Sequence, residues 1–128
     1  MEFETFVTRN RDRFQGLPWS SVPDVLVHGH CHQKAAGTFP GGSDALSACG
    51  ANVGVIDAGC CGMAGSFGYE HGDVSRRIGE DRLAPAVRAA PAETVIVAAG
   101  SSCRTQIEDL TGRKALHPAE VLSASLGR

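Results

Sequence analysis

The chain has 128 residues, 42% apolar and 20% charged, with a net charge of −2. That length suits one domain that buries about two-thirds of its unfolded surface, so a core needs no disulfide staples. The charge balance, with no basic stretch, speaks against nucleic-acid binding, and no apolar run approaches the ~18–20 residues that span a bilayer.

Residues 1–23 read as a lead-in segment or linker. Phe3, Phe6 and Val7 share a helical face, Phe14 extends it, and Gly16, Pro18 and Pro23 punctuate the rest of the segment. Residues 24–128 read as the domain. A first apolar run, 25–28, stops at Gly29. A short helix is expected over 43–49. A second run, 53–57, leads into Ala58 and Gly59. A helical pattern over 73–90 has Asp73 as its N-cap and Pro85 as a kink or break. A third run, 94–99, stops at Gly100. A helix over 102–110, a weaker strand over 114–117 and a helix over 118–126 with Pro118 in its first turn complete the chain. Short, β-branched runs stopped by glycine fit buried parallel strands. Alternation with helices predicts an α/β fold of three layers, a small, mostly parallel sheet with flanking helices.

The N-terminal stretch carries both charge signs and no apolar signal core, so a cytoplasmic location is expected. In a reducing compartment five cysteines, an odd number, make a poor disulfide framework. Metal binding or thiol chemistry fits better. The positions of the cysteines sharpen this. Cys31 follows the first run, Cys60 and Cys61 the second, and Cys103 the third. In open α/β sheets, sites form beyond the carboxyl ends of strands. Four thiolates brought there suit zinc or an iron–sulfur cluster. Gly59, Gly62 and Gly65 are candidates to let backbone N–H groups approach such a centre. His30 and His32 flank Cys31 and are candidates to ligate, to donate to sulfur or to shuttle protons. His28 ends a strand and reads as packed, while His71 and His117 read as structural or surface residues. Cys49 lies in a helical stretch of small residues and reads as core.

The spacing of Cys31, the Cys60-Cys61-Gly62 triplet and Cys103 resembles the CCG cysteine-rich domain. That domain occurs in the B subunit of heterodisulfide reductase, the C subunit of anaerobic glycerol-3-phosphate dehydrogenase and the iron–sulfur subunit of glycolate oxidase. Three longer stretches sharpen the likeness: residues 28–35, 57–70 and 116–122 are similar to the C-terminal region of FAD-linked oxidases of the 2-hydroxyacid dehydrogenase type. The resemblance covers residues 24–126. It implies Cys31, Cys60, Cys61 and Cys103 as metal ligands and an iron–sulfur cluster, of the 4Fe-4S kind, as cofactor. The family's motif ends in C-x-x-C, and here Gln106 stands at the last position, beside the expected cluster. The resemblance further implies an electron-transfer domain, a fragment or subunit rather than a complete enzyme. FAD would sit only in a partner domain or subunit. The partners would be that flavin unit and a ferredoxin-like iron–sulfur domain, with peripheral association to membrane electron acceptors through them. The alternative is a zinc-binding or metal-free module that contacts a partner.

Overall fold

The computed structural model describes residues 3–19, 23–29, 39–63 and 66–126, without the side chains of 39–42. His30, Cys31, His32 and Gly65 lie outside the described residues. Strands β1 (Asp24–His28), β2 (Asn52–Val55), β3 (Val95–Ala98) and β4 (Ala115–Leu116) form one parallel sheet in the order β2-β1-β3-β4. Helices α1 (Phe3–Arg9), α2 (Arg11–Gln15) and α3 (Phe39–Ser47) come from the first half of the chain. The second half adds α4 (Phe67–Glu70), α5 (Gly72–Asp81), α6 (Leu83–Ala89), α7 (Ser101–Thr111) and α8 (Pro118–Ser125).

Alternation along the strands sorts the core into two layers. Val25, Val27 and Val97 turn to the face covered by Leu46 of α3 and Val121 of α8. Leu26, Ile96 and Ala98 turn to the other face and pack with Leu83 and Val87 of α6 and Cys103 and Ile107 of α7. The sheet is therefore the middle of three layers, as the apolar runs predict. A third cluster joins Val7 of α1 to Ala45, Ala48, Cys49 and Leu122, so the N-terminal helix packs on the domain through α3. Phe6 is half exposed and takes no place in that cluster, so the expected helical face is narrower than Phe3, Phe6 and Val7 together.

Two elements differ from their expected form. β2 ends at Val55 and is largely exposed, because it is an edge strand with one neighbour and carries Gly54 in its middle. Its ladder continues only to the Ile56 N–H, which donates to the Val27 carbonyl at 2.9 Å. The helical stretch expected over 73–90 is two helices, and the break falls at Arg82 rather than at Pro85. Pro85 is the third residue of α6, where its missing N–H is one that a helix start leaves unpaired anyway. Asp73 is not an N-cap; it lies in the first turn of α5.

Candidate metal centre

The sheet order puts three chain connections side by side. β1 is central and ends at His28, which pairs with Ala98 of β3. After β2 the chain runs through 56–63 and carries Cys61. After β3 it turns through Gly100 into α7, whose first turn carries Cys103. Arg104 fixes that turn by donating from Nη1 to the carbonyls of Ala98 and Ala99, each at 2.8 Å. His28, Cys61 and Cys103 thus converge beyond the carboxyl ends of the strands, in the position that open α/β sheets use for sites.

All three residues are buried, and one ring nitrogen of His28 and the sulfurs of Cys61 and Cys103 lie within 4.8 Å of one another. Among the described residues neither nitrogen of His28 makes a hydrogen bond of standard geometry, although both are shut off from solvent. The Cys61 thiol is pushed well below its usual range. The largest cause is a hydrogen bond from the Cys103 side chain; burial opposes it, and the His28 side chain and the Met63 backbone add to the lowering. Cys61 is therefore biased toward thiolate, the form that binds metal.

The loop that carries Cys61 is held from below. Gln106, one turn beyond Cys103 on α7, is buried and donates from Nε2 to the Cys61 carbonyl at 3.1 Å. The same amide reaches the Ser75 carbonyl at 3.1 Å and the Ser75 hydroxyl at 3.0 Å. Gly62 takes φ +99°, and a Cβ there would stand 2.3 Å from the Ser75 carbonyl oxygen. Only glycine allows α5 and the loop to approach so closely. The motif puts Gln106 beside the centre, where an amide could donate to sulfur; it grips the main chain of a cysteine instead.

Cys60 is half buried and stands outside the His28–Cys61–Cys103 group. Its sulfur accepts the Gly62 N–H at 3.2 Å, and the residue lines a surface groove with Gly59, Val74, Arg77 and Ile78. Gly59 is exposed, and a Cβ there would meet nothing within 4 Å. Cys49 lies in the core, where its thiol donates to the Leu46 carbonyl at 2.9 Å and burial pushes its pKa up. His117 caps α8, its Nδ1 accepting the Ala119 N–H at 3.0 Å. His71 is exposed and lies against Phe67, ring centres 4.9 Å apart.

Sequence reasoning missed two residues here. His28 reads as a packed strand end, although a polar residue closing an apolar central strand before glycine is itself a signal. Ser75 carries no signal in the sequence, since its role depends on α5 lying across the loop.

No family model matches the chain, and no solved structure matches it. Curated relatives do. Over 98 residues, 73% of this chain, it is 36% identical to D-2-hydroxyglutarate dehydrogenase of Pantoea ananatis, and covers 9% of that protein. It is 32% identical over 100 residues to the Escherichia coli K12 enzyme of the same name, covering 10% of it. It is 30% identical over 122 residues, 92% of this chain, to the C subunit of anaerobic glycerol-3-phosphate dehydrogenase of Escherichia coli K12, and covers 30% of that protein. The chain thus spans about a tenth of the first relatives and less than a third of the last, and across most of its own length it is similar to parts of oxidoreductases.

Proposed function

We propose that the chain is the iron–sulfur, electron-transfer domain of an FAD-linked oxidoreductase. The observation that carries this reading is the buried meeting of Cys61 and Cys103 with His28 at the strand ends. The donor set fits the group: a Cys61 thiol biased toward thiolate, the Cys103 thiol beside it, and a buried imidazole with no standard hydrogen bond among the described residues. Cys61 and Cys103 would hold the cluster, with Cys31, two positions beyond Gly29 in the sequence, and Cys60 as the further thiolates. When bound, the cluster supplies one-electron transfer. Gln106 and Gly62 fix the Cys61 loop, Arg104 fixes the Cys103 turn, and the layers of Leu83, Val87 and Ile107 keep water from that side.

The relatives' names support an oxidoreductase setting. In it, a 2-hydroxy acid is oxidised at a flavin in a partner domain or subunit, and electrons pass to this domain and onward, through a ferredoxin-like domain, in the cytoplasm or at membrane acceptors reached through partners. Anaerobically purified protein should show broad visible absorbance that bleaches on reduction, with a paramagnetic signal appearing in one redox state. A colourless protein that stays silent through reduction and reoxidation, after loading with iron and sulfide, defeats the proposal.

A second reading is a single zinc ion with a structural role. The compactness of the three donors, all within 4.8 Å, favours it, since sulfurs about 2.3 Å from one ion lie close together. Zinc has no redox chemistry, so the same spectra separate the two.

A further inference from the structure

We propose that His28 is itself a ligand of the centre, so that the strand-end site offers one imidazole nitrogen together with the thiolates of Cys61 and Cys103. This rests on the reading above that the site holds a metal, and it alters the ligand set that the cysteine spacing suggests.

The first ground is an unanswered polar group. His28 is 1% exposed, and among the described residues neither Nδ1 nor Nε2 makes a hydrogen bond of standard geometry; its ring interacts with the Cys61 sulfur. Buried polar groups are nearly always paired, because leaving one unpaired costs the hydration it gave up. The described histidines with structural or surface roles behave differently. His117 uses Nδ1 to cap α8, and His71 keeps its ring in solvent. His28 does neither, and among the described residues the metal-donor atoms that meet its ring are the two sulfurs.

The second ground is the fold. β1 lies between β2, which feeds Cys61, and β3, which feeds Cys103. Its last residue therefore sits between the two sulfur-bearing connections. Val25 and Val27 face the α3 and α8 side, so strand alternation sends His28 to the opposite side, with Cys61 and Cys103.

The third ground is chemical. A neutral imidazole is a donor to zinc, iron and copper, and it mixes with thiolates in known coordination patterns. It brings no negative charge. In an iron–sulfur centre, nitrogen in place of thiolate raises the reduction potential, so His28 would set the site's potential as well as its geometry.

The test loads the metal-free full chain with zinc(II) alone and reads its first shell by X-ray absorption. The expected shell has sulfur at about 2.3 Å and nitrogen at about 2.0–2.1 Å, with outer-shell scattering from an imidazole. That scattering should persist in a His30→Ala/His32→Ala double variant and vanish in His28→Cys, which becomes an all-sulfur site. An all-sulfur shell in the unaltered chain, or imidazole scattering that survives His28→Cys or disappears in the double variant, overturns the assignment. If His28→Cys does not fold, the unaltered chain and the double variant still decide the matter. The two proposals fail separately. A chain that takes zinc through His28 but never takes up iron and sulfide defeats the electron-transfer reading alone. A chain whose iron–sulfur spectrum is the same with and without His28 defeats the His28 assignment alone.

Discussion

The side-chain amide of Gln106 donates to the main-chain carbonyl of Cys61 at 3.1 Å and to Ser75 on the way, tying α7, α5 and the cysteine loop together at one buried point. Gln106→Ala removes the amide donor from the buried Cys61 carbonyl and from Ser75. It should cost about 1–3 kcal/mol in chemical denaturation, the usual penalty for an unsatisfied buried group. Gln106→Glu should cost more at neutral pH, because a carboxylate cannot donate and would face the Cys61 and Ser75 carbonyl oxygens. Two variants as stable as the unaltered chain would show that the tie contributes nothing.

Gly62 and Gly50 both have positive φ, +99° and +86°, yet their surroundings differ. A Cβ at Gly50 meets nothing within 4 Å, so Gly50→Ala should cost only about 1–2 kcal/mol of backbone strain. A Cβ at Gly62 runs into the Ser75 carbonyl, so Gly62→Ala should be clearly worse and should also weaken metal uptake. Equal melting temperatures for the two variants would contradict this close approach of α5 to the loop.

Cys49 and the strand-end cysteines should separate cleanly. Cys49→Ala should lower stability by about 1 kcal/mol through lost packing and leave metal content unchanged. With its thiol held protonated by burial, Cys49 should also react with iodoacetamide after Cys60, which is half buried. Peptide mapping of the metal-free protein reads that order, and early labelling of Cys49 would contradict its place in the core.

The Cys61 thiol should make the stability of the metal-free protein depend on pH. Its folded-state pKa lies below the ordinary value of 9.0, chiefly through Cys103. Between the lowered value and 9.0 the unfolded chain therefore binds more protons than the folded one. Stability should rise with pH across that window, level off above it, and be lost as pH falls through the lowered value. Denaturation at about pH 6 and about pH 8 should show this slope in the unaltered chain and a flatter one in Cys61→Ser. The same slope in both proteins would place the titration elsewhere.

Much of this architecture is legible in the residues. The β-branched runs around Val27 and Val97 announce strands buried on both faces, and the glycines after them mark where each stops. With the run around Val53, that puts Cys61 and Cys103 beyond strand ends. It does not reveal that β1 is central, because strand order is a tertiary fact, and without that order His28 looks like any packed residue. The exposure of Val55 has the same origin, since only the finished sheet shows that β2 is its edge. Gln106 is visible through its place in the motif, but its partner is not. Three positions along α7 carry it under the loop, where Ser75 and the Cys61 carbonyl await a donor. Pro85 points to a helix break because proline disfavours helix interiors. The break falls earlier, so that Pro85 occupies a first turn that tolerates it.

The most direct test of the central claim is iron and acid-labile sulfide content in protein purified without oxygen. The account predicts iron and sulfide in comparable amounts in the unaltered chain and in Cys49→Ala, with both lost in Cys61→Ala and Cys103→Ala. Protein that holds zinc or no metal under those conditions, or cluster content that is indifferent to Cys61 and Cys103, would contradict it.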